Sequence, residues 1–155
     1  MKLEVLAAVL AEIADHREMM EPVVGCGLLI GLASPGAFRV TRALRCQNLA
    51  PEAARLDDFE IDRGVVENVN RSLEREPTSI LGFYRTSSEE VPTPSRSDLE
   101  LIRSYSHSVL LVRGSGVGVD ADLRAWFFDR SAAELSELTL DVLEPSVRNL
   151  LACPD

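Results

Sequence analysis

The stretch GFYRTSSEEVPTPSRSD, Gly82 to Asp98, gathers two cations, a series of hydroxyls and three carboxylates between an apolar run and a helix-like run. It opens as the end of a buried strand, Ile80-Leu81-Gly82-Phe83-Tyr84, and closes in Ser95-x-x-Asp98 just after Pro92 and Pro94. Loops set this way between a strand and a helix commonly carry function. This one holds neither histidine nor cysteine. Three kinds of chemistry remain open to it. Ser95-x-x-Asp98 has the form of a capping box, the serine bonding forward and the aspartate reaching back. Arg85 can pair with Asp98 through a charge-assisted hydrogen bond, or lie at a strand end in solvent, where a surface pair is worth only ~0–1 kcal/mol. Arg85 with Thr86, Ser87, Ser88 and Ser95 near a helix N-terminus can hold a small anion such as phosphate or sulfate. Glu89, Glu90 and Asp98 count against the anion.

The remaining reactive side chains are scattered. His16 closes the first apolar-periodic segment and is expected to be exposed, and His107 precedes a strand. A lone histidine is not usually a ligand. Cys26, Cys46 and Cys153 make an odd count without close spacing, which disfavours a disulfide framework or a zinc knuckle and suits reduced thiols in a cytoplasmic protein. Cys26 lies between two glycines in an apolar run and reads as a small core residue.

The elements that must position these groups follow from periodicity. Lys2 to Met20 reads as one amphipathic helix, with Leu3, Leu6, Leu10 and Ile13 on one side. Val23 to Gly31 reads as a strand buried on both faces, Ser34-Pro35-Gly36 as a turn and Phe38 to Cys46 as the returning strand. Asp57 to Asp62 alternates and is expected to be a short strand, followed by a helix over Arg63 to Arg75. Thr78 to Tyr84 is the next buried strand, and Arg96 to Tyr105 a helix. Val109 to Val112 is a strand, Gly114-Ser115-Gly116 a turn, Val117 to Asp129 a longer strand carrying Trp126, Phe127 and Phe128, and Leu138, Leu140 and Val142 a final strand. The aromatic run is expected to be half core and half edge. Ser146 to Asp155 reads as a short helix or a frayed tail. This order gives one α/β domain over residues 1–155, a sheet with helices packed on it.

Composition sets the outer limits. The chain has 155 residues, 46% hydrophobic and 26% charged, enough to bury a core without a structural metal. A net charge of −9 argues against a nucleic-acid surface and against docking on anionic membrane. No apolar run is long enough to span a bilayer, and Glu4 and Glu12 interrupt the start, which is not expected to be a signal peptide.

Gly25-Cys26-Gly27-Leu28-Leu29-Ile30-Gly31, Gly82-Phe83-Tyr84 and the spacing Arg85-x-Ser87-x7-Ser95-x2-Asp98 together resemble the JAMM/MPN domain family. The likeness runs from the first helix to the strand at Trp126. It implies a cytidine-deaminase-like three-layer α/β fold with a central mixed sheet. Active members are zinc metalloproteases that cleave isopeptide or peptide bonds, often removing ubiquitin or a ubiquitin-like protein. Their pattern is Glu-x-Cys-Gly-Leu-Leu-x-Gly, then His-x-His-x7-Ser-x2-Asp. Two histidines and the aspartate bind zinc, the glutamate activates water, and the serine stabilises the tetrahedral intermediate.

By that resemblance the glutamate position is Val24, the histidine positions are Arg85 and Ser87, and Ser95 and Asp98 alone match. Catalytic zinc takes about three protein ligands at roughly 2.0–2.2 Å. Asp98 alone does not supply them, and a permanently charged guanidinium repels a cation. Glu21 lies three residues before Val24, an odd offset that points it to the other strand face. The capping reading of Ser95 and Asp98 is therefore preferred to metal binding. The expectation is a catalytically inactive JAMM/MPN-like protein without cofactor, partnered with another protein subunit or a second copy. The alternatives are a zinc peptidase with relocated ligands such as Asp98, His107 and an acid from elsewhere, and an anion-binding protein centred on Arg85.

Overall fold

A computed structural model of the chain describes residues 1–116 and 122–144. Seven strands and three α-helices alternate along it: β1 Lys2–Leu6, α1 Ala7–Met20, β2 Cys26–Ser34, β3 Ala37–Cys46, α2 Arg63–Ser72, β4 Ser79–Thr86, α3 Arg96–Ser104, β5 Val109–Arg113, β6 Leu123–Asp129 and β7 Glu134–Leu143. The strands form one mixed sheet in the order β1-β3-β2-β4-β5-β6-β7, closed into a barrel by parallel pairing of β1 with β7. β1/β3 and β4/β5 are also parallel, and the other neighbours are antiparallel.

The closure corrects two expectations at once. The first five residues of the supposed N-terminal helix are a strand, and the sheet is not the open central layer of a three-layer fold. Leu3 and Val5 are buried while Lys2, Glu4 and Leu6 are partly exposed, a period of two. The same letters also fit a helical stripe. β1 owes its state to β3 and β7, both far away in the chain, which satisfy its backbone on either edge. Helices do lie on both sides. α1 contributes Val9, Leu10 and Ile13 to a core with Leu3, Val5, Leu29, Leu81, Tyr84 and Leu111. On the other face Val66 of α2 joins Cys26, Leu28, Ile30, Ile80 and Phe83, and Ile102 of α3 joins Leu110, Val112, Trp126 and Phe128.

Most other elements fall where the periodicity puts them, with shifted ends. β2 starts at Cys26 rather than Val23. β4 runs on through Arg85 and Thr86, because β5 pairs with it there. Asp57 to Asp62 is not a strand. Phe59 and Ile61 are buried as their alternation requires. Their backbone, however, is held by the buried side chain of Asn48 instead of a neighbouring strand. Asn48 Nδ2 donates to the Val24 and Asp58 carbonyls, and its Oδ1 accepts from Ala50 and Glu60 N–H. β6 begins at Leu123, and 117–121, like 145–155 with the expected tail helix, lies outside the described residues. Trp126 and Phe128 pack under α3 while Phe127 turns the other way to stack on Phe38, so both sides of the aromatic run are covered.

Candidate functional site

The site grows from the far end of β4. Leu81 is an extra residue opposite the Leu29/Ile30 step of β2, where the register slips from Gly82 to Ile80. Beyond that bulge alternation resumes. Tyr84 and Thr86 face α1, while Phe83 and Arg85 face α3. Cys26 is directly opposite Arg85 across the β2/β4 ladder, so the two share a face, and Val24 joins Cys26 in one core cluster. Asp98 reaches the same place from the first turn of α3. The sequence positions aligned by spacing are thus neighbours in space.

Arg85 and Asp98 form a buried ion pair. Arg85 Nε donates to Asp98 Oδ1 at 2.8 Å and to Oδ2 at 3.0 Å, with side-chain exposures of 6% and 0%. The second oxygen also accepts from Ser95 N–H at 2.7 Å, and Ser95 Oγ accepts from Asp98 N–H at 3.2 Å. The capping box and the ion pair therefore coexist on one carboxylate. Arg85 Nη2 donates to the Thr93 carbonyl at 3.0 Å, and Arg124 Nη1 to the Pro92 carbonyl at 2.9 Å. Two arginines thus tie the intervening loop to the sheet. Nothing in the sequence pattern singled out Arg124 for this task.

The anion cradle is not assembled. Thr86 Oγ1 accepts from Gly25 N–H, Ser87 Oγ from Glu89 N–H and Ser95 Oγ from Asp98 N–H, while Ser88 is exposed. Each of the three buried or half-buried hydroxyls accepts from a backbone N–H, Thr86 across to the residue before β2 and the two serines within their own turns. Glu21 pairs with Arg17 on the surface, and it lies in the turn before β2, so strand alternation does not orient it. His107 sits in a ring cluster with Phe83 and Tyr105.

His16 departs from expectation, being only 4% exposed. Its Nδ1 lies 2.7 Å from the Tyr84 hydroxyl, so the turn carrying it faces the sheet, not solvent. Burial, then the charge of Arg45 on β3, lowers its pKa, against a smaller opposing effect of Glu12 on its own helix. Burial also lowers that of His107, followed by a hydrogen bond with the Ile80 backbone that raises it and the charge of Arg130 that lowers it. A depressed folded-state pKa means the associated stability is complete above the unfolded value of about 6.5 and is lost as pH falls. Urea unfolding should show stability falling below about pH 6.5. His16→Gln, which keeps an acceptor for Tyr84, should flatten that slope; an unchanged slope would show that His16 titrates alike in the folded and unfolded chain.

Beside the ion pair, a groove of about 580 Å³ runs between the segment 58–62 and α3. Among the described residues Asp58, Glu60, Asp62 and Glu100 line it, against one cation, Arg63, whose guanidinium lies 4.9 Å from the centre of the Tyr105 ring. Leu49 and Leu101 supply apolar wall. Sequence reasoning missed this feature because its acids come from separate elements.

With this geometry in hand, comparison with known proteins speaks to the fold. No family model matches the chain, and no curated protein matches it. Solved structures do. A protein of Desulfitobacterium hafniense, known from a solution structure, superposes with a TM-score of 0.75 at 16% identity, over 94% of this chain and 96% of that one. A crystal structure of a JAB1/MPN domain protein from Archaeoglobus fulgidus superposes with a TM-score of 0.54 at 13% identity, over 91% and 99%. The fold is JAB1/MPN-like.

The JAB1/MPN-like fold raises the question of zinc, and the side chains do not fit it. At the positions the family resemblance assigns, Val24 offers only methyl groups. Ser87 Oγ is engaged with backbone, and Arg85 places a cation against both oxygens of Asp98. Among the described residues no three His, Cys, Asp or Glu side chains are grouped to hold a metal elsewhere, so Asp98, His107 and a third acid do not converge.

Proposed function

We propose that this chain is a protein-binding domain of JAMM/MPN type that works without zinc, its partner laying an extended, cationic segment in the acidic groove beside α3. The buried Arg85–Asp98 pair carries the first half of the reading. It fills the place of the family's metal ligands with a self-satisfied cation and anion, leaving the carboxylate no vacancy for a metal. Charge complementarity supports the second half. Four carboxylates and one arginine line the groove, and opposite potentials steer and orient partners. A chain of net charge −9 is a poor cationic partner for itself, which favours a different protein over a second copy.

Titration of the protein with an unstructured Lys/Arg-rich peptide in the presence of EDTA tests both halves. Saturable binding is expected, unaffected by EDTA, weakened by salt, and reduced at least tenfold by Glu60→Lys with Glu100→Lys at unchanged thermal stability. A stoichiometric equivalent of zinc in the purified protein, lost on Asp98→Ala, would overturn the zinc-free reading. Binding untouched by the two charge reversals would overturn the groove.

A further inference from the structure

Two thiols that the proposed function does not use face each other across the sheet. Cys26 opens β2 and Cys46 closes β3, and the antiparallel register sets them directly opposite. Opposed residues point to the same face with Cβ atoms about 4.5–5.5 Å apart, at or just beyond the roughly 3.5–4.5 Å that a disulfide spans. Both side chains belong to the core under α2. Cys26 Sγ already lies 3.9 Å from the Cys46 carbonyl oxygen, while the Cys46 thiol is turned 3.7 Å from the Leu44 carbonyl. Bond formation requires the Cys46 thiol to swing toward Cys26 and the two strand ends to draw slightly together.

We propose that Cys26 and Cys46 are a disulfide-forming pair, oxidised by a small-molecule disulfide. The half-buried Cys46 reacts first: its thiolate attacks one sulfur of the reagent, forming a mixed disulfide and releasing one thiol. The Cys26 thiolate then attacks Cys46 Sγ and expels the second thiol. In sum, two protein thiols and one reagent disulfide become one protein disulfide and two small thiols. Burial sets the pace. It pushes Cys46 up to about 11, against a smaller lowering by its hydrogen bond with the Leu28 backbone. Burial, then the neighbouring Cys46, pushes Cys26 up to about 12. Thiolate is the reactive form, so exchange should be slow at neutral pH and accelerate about tenfold per pH unit. The bond would fasten the strand end beside Val24 to the strand end beside Asn48, the side chain that holds the groove wall 58–60.

The test treats the full chain with glutathione disulfide at pH 8.5, alkylates remaining thiols and maps tryptic peptides. Arg39, Arg42 and Arg45 let trypsin separate the two cysteines. The expected product is a Cys26–Cys46 crosslinked peptide with a Tm raised by roughly 5–10 °C, reversed by dithiothreitol. Cys153→Ser should give the same product, and Cys46→Ser should give neither crosslink nor shift. Full alkylation of both cysteines in natively folded protein would overturn the proposal. So would Cys46 joined only to glutathione or to Cys153, a result the wild-type map shows even if a variant folds poorly.

Discussion

Replacing Asp98 with alanine should cost about 3–5 kcal/mol, read as a fall in the urea-unfolding free energy at constant m-value. Asp98 is 1% exposed and Arg85 5%, so the substitution leaves a guanidinium in the core with its charge unpaired and a hydrogen bond to the Thr93 carbonyl. It also removes the acceptor for Ser95 N–H, and loss of such a cap is worth about 1 kcal/mol by itself. In a chain of this size the combined loss corresponds to a Tm drop of roughly 8–16 °C. The distinguishing control is the double variant Arg85→Met with Asp98→Asn. It removes the charge pair, keeps an acceptor at the cap and leaves no unpaired ion, so it should recover more than half of the loss. This is the signature of a buried pair, costly to break and cheap to replace. A cost below 1 kcal/mol for Asp98→Ala would put the pair in the class of solvent-screened surface bridges.

The ion pair also shows what the sequence can disclose. Ser95-x-x-Asp98 is a local signal, complete within one helical turn, and the capping box follows from it. The pairing with Arg85 is reachable because both residues belong to one strand–loop–helix unit. Features built from distant parts are harder to see. β1 resembles helix by spacing and becomes strand only because β3 and β7 supply its edges. The segment 57–62 resembles strand and is instead held by the Asn48 side chain together with a backbone bond from Leu49 to Glu60. His16 looks like a helix-end surface residue until Tyr84, 68 positions later, is seen to contact it. The groove acids belong to two separate stretches and acquire meaning only once α3 is laid beside the first. In each case the local pattern is correct about apolar alternation and silent about which partner completes the backbone or the polar group.

Gly82, next to the bulge, has no room for a side chain on its β5 side. β5 approaches β4 so closely there that a Cβ on residue 82 would lie 1.8 Å from the Val109 carbonyl oxygen and 2.5 Å from its carbon. The obstruction is backbone, which cannot swing aside as a side chain tip can. Gly82→Ala must either push β5 away, breaking the Gly82–Val109 start of the β4/β5 ladder, or shift β4 itself. Overpacking a tight site ordinarily costs about 1–3 kcal/mol; here a whole strand pairing is displaced, so the loss should exceed about 4 kcal/mol and appear as little or no folded protein. Gly25→Ala is the matched control. Its Cβ would meet His16 and Thr86 at 3.4–3.5 Å, ordinary van der Waals contact, so the cost should stay within about 1 kcal/mol. A folded Gly82→Ala protein would report through Arg85, three residues along the same strand. Any sliding of β4 against β5 moves that guanidinium relative to Asp98. A variant that folds with native stability and an intact Arg85–Asp98 pair would show that the close strand approach is not what sets the register of the site.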